Sequence, residues 1–227
     1  MMPTSEVLYP VVRDAGDGRL VWISEWERGT EIVCLTCAAP MVGRKGEIRV
    51  HHFAHASGGG SGNCTKETAL HKQAKLIVVE TFRAAKNSGT RWSLRFRCQW
   101  CAAQMAVDLP QRFDSATIEK SLVEGTRADV AFEAVTGLKL ALEIIVTHRP
   151  EERSLRLYAE ADVLVAEATI RWDSLENLKS CVNADRVHGW SRATCPGCAR
   201  RAEITRAAEA ARVAEAVRAA EAARVAE

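Results

Sequence analysis

Six of the eight cysteines fall in C-x2-C pairs, Cys34/Cys37, Cys98/Cys101 and Cys195/Cys198, while Cys64 and Cys181 stand alone. Such a pair lets one short turn offer two thiolates to one ion, and zinc takes four nitrogen or sulfur ligands in a tetrahedron. The first pair is followed by Val50-His51-His52-Phe53-Ala54-His55 and then Cys64. Cys34 and Cys37, completed by one or two of His52, His55 and Cys64, therefore make a zinc site. Cys98, Cys101, Cys195 and Cys198 make a second, four-thiolate site of structural character, although a predicted sheet lies between the two pairs. Fe–S ligation has no spacing support here. A thioredoxin-type role would require the pair at a helix start within its own fold.

A second set of residues suits acid–base and hard-metal chemistry. Glu67, His71 and Lys75 stand four residues apart and share one stripe of a helix. On spacing alone that is a helix surface with a supporting ion pair. Further along, two strand-like runs meet at a turn over Val135 to Gly137. Reflecting the chain about that turn sets Glu133 near Lys139 and Asp129 near Glu143. Two carboxylates facing each other across strands repel, and a hard divalent cation is the natural compensation. Arg127, Asp129, Glu143 and Thr147 have one parity and so one sheet face, beside which the helix of Glu67 and His71 would pack.

These residues need elements to hold them. The 227 residues suit one core with modest additions, and 47% apolar with 26% charged residues is ordinary globular composition. Leu8 to Arg13 and Leu20 to Glu25 are strand-like around a hairpin signal at Asp17-Gly18, and Glu31 to Val33 runs into the first cysteine pair. Gly58 to Gly62 reads as a flexible joint. Thr65 to Lys86 has helical apolar spacing with Gly89 as its stop. Arg91 to Cys98 alternates with period two, Trp92, Leu94, Phe96 and Cys98 inward and three arginines outward. Arg127 to Glu133, Lys139 to Thr147 and Asp162 to Ile170 are further strands, with a helix from Pro150 to Glu160 before the last. The expected order after the joint is helix, three strands, helix, strand: an α/β sheet with a parallel crossover.

The 31 Lys+Arg against 29 Asp+Glu leave only +2, which excludes a uniformly basic protein. Between Lys66 and Arg97, however, eight Lys/Arg against two Glu give a local +6, able to neutralise phosphates whatever the base sequence. Trp92, Phe96 and Trp100 lie among them and read as core. From Arg200 onward Arg and Glu alternate every three residues in an alanine background. Six residues advance a helix by about 600°, so the charges spiral and leave no apolar stripe, which favours a solvated helix over a coiled-coil partner site. The chain has no leader pattern and no apolar run of membrane-spanning length, so a cytoplasmic protein with reduced thiols is expected.

Four motifs, in order, resemble the competence protein CoiA-like family, whose nuclease-like domain belongs to the PD-(D/E)XK superfamily. They are the cysteine pair with His52-Phe53-Ala54-His55, the E-x3-H-x3-K helix of Glu67, His71 and Lys75, Arg127-Ala128-Asp129-Val130, and Leu142-Glu143-Ile144. The resemblance covers about residues 5 to 200. It implies an α/β, restriction-endonuclease-like mixed sheet core over 58–200, a small β-rich zinc-binding region over 1–57, and an exposed helical tail over 201–227. By motif position Glu67, Asp129 and Glu143 would hold Mg2+ or Mn2+ for phosphodiester hydrolysis, with His71 orienting a carboxylate or touching the ion. Ile145 stands where the superfamily carries Lys, or its relatives Gln; Lys75 or Arg153 would have to substitute. His148, of opposite parity, reads as a strand-end surface residue. The implied function is CoiA-like DNA processing, with DNA and recombination proteins as partners in competence. The alternative is a catalytically inactive nuclease-fold protein that binds DNA or a recombination partner. A third reading is a structural zinc protein whose tail recruits a partner.

Overall fold

The computed structural model describes residues 9–48, 50–56, 64, 66–98, 100–189 and 195–225. The expected hairpin is present: β1 (Val11–Asp14) pairs antiparallel with β2 (Leu20–Trp22), and Gly18 sits in the turn at φ 76°, which glycine adopts without strain. β3 (Ile32–Val33) pairs with the other edge of β1, and β4 (Met41–Arg44) forms a two-stranded ladder with β5 (His52–His55). Tyr9, Val12, Ile32, Met41 and Phe53 form a buried cluster that also takes in Ala69 of the following helix. The joint expected at 58–62, and with it the boundary at 57, lies outside the described residues.

Helix α1 (Lys66–Ser88) buries Ala69, Leu70, Ala74, Ile77, Val78, Phe82 and Ala85, the face its spacing predicts. It ends on Gly89 at φ 67°, and the Thr90 N–H returns to the Ala85 carbonyl, closing the last turn.

The next strand differs from expectation. β6 (Ser93–Arg97) does bury Leu94 and Phe96 and expose Arg95 and Arg97, but it lies in a separate three-stranded sheet. Its neighbours are β7 (Gln104–Asp108) and, later in the chain, β12 (Cys181–Asn183). The buried Trp92 beside it donates its indole N–H to the Leu178 carbonyl. A short helix, α2 (Leu109–Arg112), then leads to β8 (Ser115–Lys120), which takes the place assigned to Arg91–Cys98 in the main sheet. Ala116 and Ile118 alternate with polar residues there, but the run is short. Period two identifies a strand and not its sheet.

The main sheet continues with β9 (Ala128–Glu133), β10 (Lys139–Ile145), helix α3 (Glu152–Glu160), β11 (Leu164–Thr169) and β13 (Arg186–His188), in the order β13-β11-β10-β9-β8. β8, β9 and β10 form an antiparallel meander, and β10 pairs parallel with β11 across α3, as a crossover connection requires. A 3-10 helix (Trp172–Lys179) precedes β12. Phe132 faces α1, with its ring 5.3 Å from that of Phe82, whereas Ala131, Ala141 and Val165 on the other face pack with Tyr158 of α3. Phe132 gives α1 its apolar seat, and from there His71 and Lys75 reach Asp129, so the helix of Glu67 packs beside the acids as expected.

The described residues form two compact units. One comprises the chain up to Phe96 together with Ala106–Gly189. The other comprises Arg97–Met105 and the chain beyond Gly189. The latter contains α4 (Pro196–Val225), which starts inside the last cysteine pair and runs unbroken past the expected boundary at 200. Among the described residues no helix is long and apolar enough to cross a membrane.

Phe132 is fully buried between Phe82 and Phe113. Phe132→Ala is expected to lower unfolding free energy by about 3 to 5 kcal/mol in urea titrations; a loss below about 1 kcal/mol would show that this contact does not seat α1.

Candidate functional site

Five residues singled out in the sequence line one cavity of about 530 Å3 in the first unit: Glu67, His71 and Lys75 from α1, Asp129 from β9 and Glu143 from β10. The ladder supplies the reason. Lys139↔Glu133 through Leu142↔Val130 are paired, so Asp129 and Glu143 are the next residues on neighbouring strands. There the ladder stops, and the Asp129 carboxylate takes over, accepting the Ile144 N–H through Oδ2 at 2.9 Å. His71 Nε2 donates to the same oxygen at 2.8 Å, and Lys75 Nζ lies 3.5 Å from Oδ1. The stripe Glu67, His71, Lys75 is therefore turned toward the strands and is not merely a helix surface. Glu67 accepts the Thr147 hydroxyl, and His148 Nδ1 lies 3.7 Å from its carboxylate, at the exposed end of the cavity. Ile145 is buried and lines the cavity with an apolar side chain.

Glu119 was not singled out in the sequence. It receives Lys75 Nζ at 2.7 Å on one oxygen and Arg127 on the other. The pairs Ile118↔Val130 and Lys120↔Ala128 set it opposite Asp129, and its φ of 51° interrupts the ladder at that point. A left-handed glutamate within a strand is rare and has no sequence signature, although Ala116 and Ile118 mark the strand itself. On the other side, Glu143 is paired with Glu167 of β11, whose carboxylate lies 2.5 Å from His188 Nε2. Glu119, Asp129, Glu143 and Glu167 thus form one row of acids across four strands.

Their environments differ. Burial alone would raise Asp129, but the His71 hydrogen bond, the Ile144 amide and the charges of His71 and Lys75 hold it below the usual carboxylate range. The Lys75 hydrogen bond likewise holds Glu119 low. Glu143, about nine-tenths buried, has only the Tyr158 hydroxyl, at 3.4 Å, within hydrogen-bond range among the described residues. Burial and then the Asp129 charge push it up to about 7. The row therefore contains one carboxyl with an unmet demand for positive charge.

The cysteines form two groups. In the first unit the ligand atoms of Cys34, Cys37, His55 and Cys64 all lie within 4.8 Å of one another, with 3.8 Å between the sulfurs of Cys34 and Cys64 and 3.4 Å from Cys37 Sγ to His55 Nε2. A tetrahedral zinc with bonds of about 2.3 Å has sulfur–sulfur edges of about 3.8 Å. His55 and Cys64 are thus brought to the cysteine pair, and His52 is not. His52 and His55 are three apart on β5 and point to opposite faces. His52 instead donates from Nδ1 to the Val50 carbonyl at 2.8 Å. In the second unit Cys98, Cys101, Cys195 and Cys198 are grouped equally closely. Both groups could hold a metal such as zinc. Cys181 is buried beside Asn183 and belongs to neither.

Their surroundings shift these thiols in opposite directions. Burial, followed by the Cys37 hydrogen bond, pushes Cys64 up to about 12, while the Cys195 and Trp100 backbone amides draw Cys98 down to about 6. No protein-family model, curated protein or solved structure matches this chain.

Because Glu143 is raised when folded, the native chain holds a proton that the unfolded chain releases near the ordinary glutamate value. Its contribution is complete at low pH and is lost as pH rises toward 7. With no added magnesium or manganese, wild type should lose roughly 3 kcal/mol relative to Glu143→Gln between pH 4.5 and 7.5. Urea unfolding of both proteins across that range checks this, and parallel curves would contradict it.

Proposed function

We propose that this chain is a CoiA-like deoxyribonuclease that hydrolyses phosphodiester bonds with a divalent metal. The observation that carries the reading is the meeting of Glu67, His71, Lys75, Asp129 and Glu143 on one cavity. The order of α1, the β8–β9–β10 meander, α3 and the parallel β11, with β6, β7 and α2 inserted after α1, supports the α/β nuclease-like core that the resemblance implies. Zinc at the Cys34, Cys37, His55 and Cys64 group serves structure in this reading.

Asp129 and Glu143 would hold Mg2+ or Mn2+. Such ions keep several waters and take one or two carboxylates, so the pair is a sufficient protein contribution. Glu143, raised by burial and by Asp129, fits a cation better than it fits its present surroundings. Bound there, the ion would lower the pKa of a water and stabilise the charge building on the phosphate. The chain's own residues do the rest. His71 and the Ile144 amide hold Asp129 in one orientation, and the Tyr158 hydroxyl reaches Glu143. Lys75 brings from α1 the positive charge that Ile145 lacks. Arg127, Lys72 and Arg149 on the cavity lining offer cations to the flanking phosphates of a DNA strand.

A second reading has its own observation. The Asp129 oxygens already engage His71, Lys75 and the Ile144 amide, and Ile145 offers no polar group. A protein that binds DNA or a recombination partner without cutting would look the same. Incubation with single- and double-stranded DNA and Mg2+ or Mn2+ separates the two. Cleavage by wild type, reduced at least a hundredfold in Asp129→Asn with binding retained, is the expected result, since loss of the metal's several kcal/mol has that size. Binding without cleavage under every metal condition would leave the binding protein as the function.

A further inference from the structure

We propose that Cys98, Cys101, Cys195 and Cys198 hold a zinc ion whose role is to nucleate α4. Three observations lead there. First, the two C-x2-C turns have one backbone design. The Cys34 N–H bonds the Ala39 carbonyl and the Ala38 N–H bonds the Cys34 carbonyl; Cys98, Ala103 and Ala102 repeat both bonds. Ala38 and Ala102 are both left-handed, at φ 56° and 57°. Alanine gains nothing locally from that conformation, so each turn is held in shape by what its thiols share. The sulfurs of Cys101 and Cys195 lie 3.4 Å apart, and the Cys195 N–H points to Cys98 Sγ at 3.4 Å. Four convergent thiolates select a soft, tetrahedral ion such as Zn2+.

Second, two of the four ligands are the first turn of α4. Cys195 caps it, Pro196 follows at the first helical position, and the N–H groups of Cys198 and Ala199 both return to the Cys195 carbonyl. A zinc tetrathiolate carries a net charge of −2 and would sit at the positive end of the helix dipole. Arg201 directs a guanidinium N–H toward Cys198 Sγ at 3.7 Å.

Third, among the described residues α4 shows no other anchor. From Arg200 to Arg218 every described side chain is exposed, so no apolar face holds this part of the helix by packing. Arg and Glu three residues apart favour propagation, but forming the first turn carries a statistical penalty of about 10⁻³. An ion bonded to Cys195 and Cys198 fixes the residues that this first turn must order.

The test uses the full chain and the double variant Cys101→Ser/Cys195→Ser. Serine still caps a helix, so the variant removes the ion without removing the cap. Elemental analysis of wild type should find two zinc ions and no iron, and one zinc should remain in the variant. Hydrogen exchange of residues 200–218 should show protection in wild type that is greatest beside Cys198 and declines toward the far end. In the variant, protection of 200–206 should fall at least tenfold, while β9 and β10 keep theirs. Unchanged zinc content, iron in place of zinc, or one lost zinc with tail exchange unaltered would each overturn the proposal. Should β9 and β10 also lose protection, the wild-type profile decides, because a helix without a nucleus at Cys195–Cys198 frays equally from both ends. None of these readings depends on nuclease activity.

Discussion

Four carboxylates in a row across a sheet set the terms for the first unit. Glu119, Asp129, Glu143 and Glu167 occupy successive positions on β8, β9, β10 and β11, and three of them are buried or largely so. Such a row folds only if positive charge or hydrogen-bond donors meet it. The molecule supplies these unevenly: Lys75 and Arg127 for Glu119, His71, Lys75 and a backbone amide for Asp129, His188 for Glu167. Glu143 is left with a hydroxyl. The placement of α1 serves the same end, because the helix that contributes Phe82 to the core also delivers two nitrogen bases to the acids. Lys75, only 4% exposed, is buried because it is paired on both sides.

Much of this row was legible beforehand. Folding the chain about Val135–Gly137 puts Asp129 beside Glu143 by counting alone, and the observed register follows the same count. The four-residue spacing of Glu67, His71 and Lys75 puts them on one stripe in the same way. What could not be counted was the long-range part. β6 has a clear two-residue period, yet its partner β12 lies more than eighty residues later, and nothing local distinguishes that sheet from the main one. Glu119 was hidden for another reason: its backbone turns left-handed inside a strand, a choice made by Lys75 and Arg127 and invisible in a pattern of apolar residues. That only one of His52 and His55 can reach the cysteine pair, by contrast, follows from the alternation of β5; that it is His55 is set by the long-range packing.

The two cysteine groups lie where apolar area is scarcest, beside the small N-terminal strands and at the start of the tail helix. β1 to β5 are two to four residues long, and α4 has no packed face over the described residues 200–218. The strands share one small apolar cluster, and that part of α4 has none. A metal held by ligand atoms drawn from distant parts of the chain would provide order where apolar area is scarce.

The tail's repeat has one more consequence. From Glu203 the chain reads Glu-Ile-Thr-Arg-Ala-Ala, then Glu-Ala-Ala-Arg-Val-Ala, Glu-Ala-Val-Arg-Ala-Ala and Glu-Ala-Ala-Arg-Val-Ala. Each block of six adds about 9 Å of helix and rotates its end by about 240°, so three blocks return to the starting azimuth after about 27 Å. Since no described side chain from 200 to 218 packs a core, gain or loss of a block there would change reach and direction together without disturbing the fold upstream. The tail repeat is thus a ruler graduated in hexads.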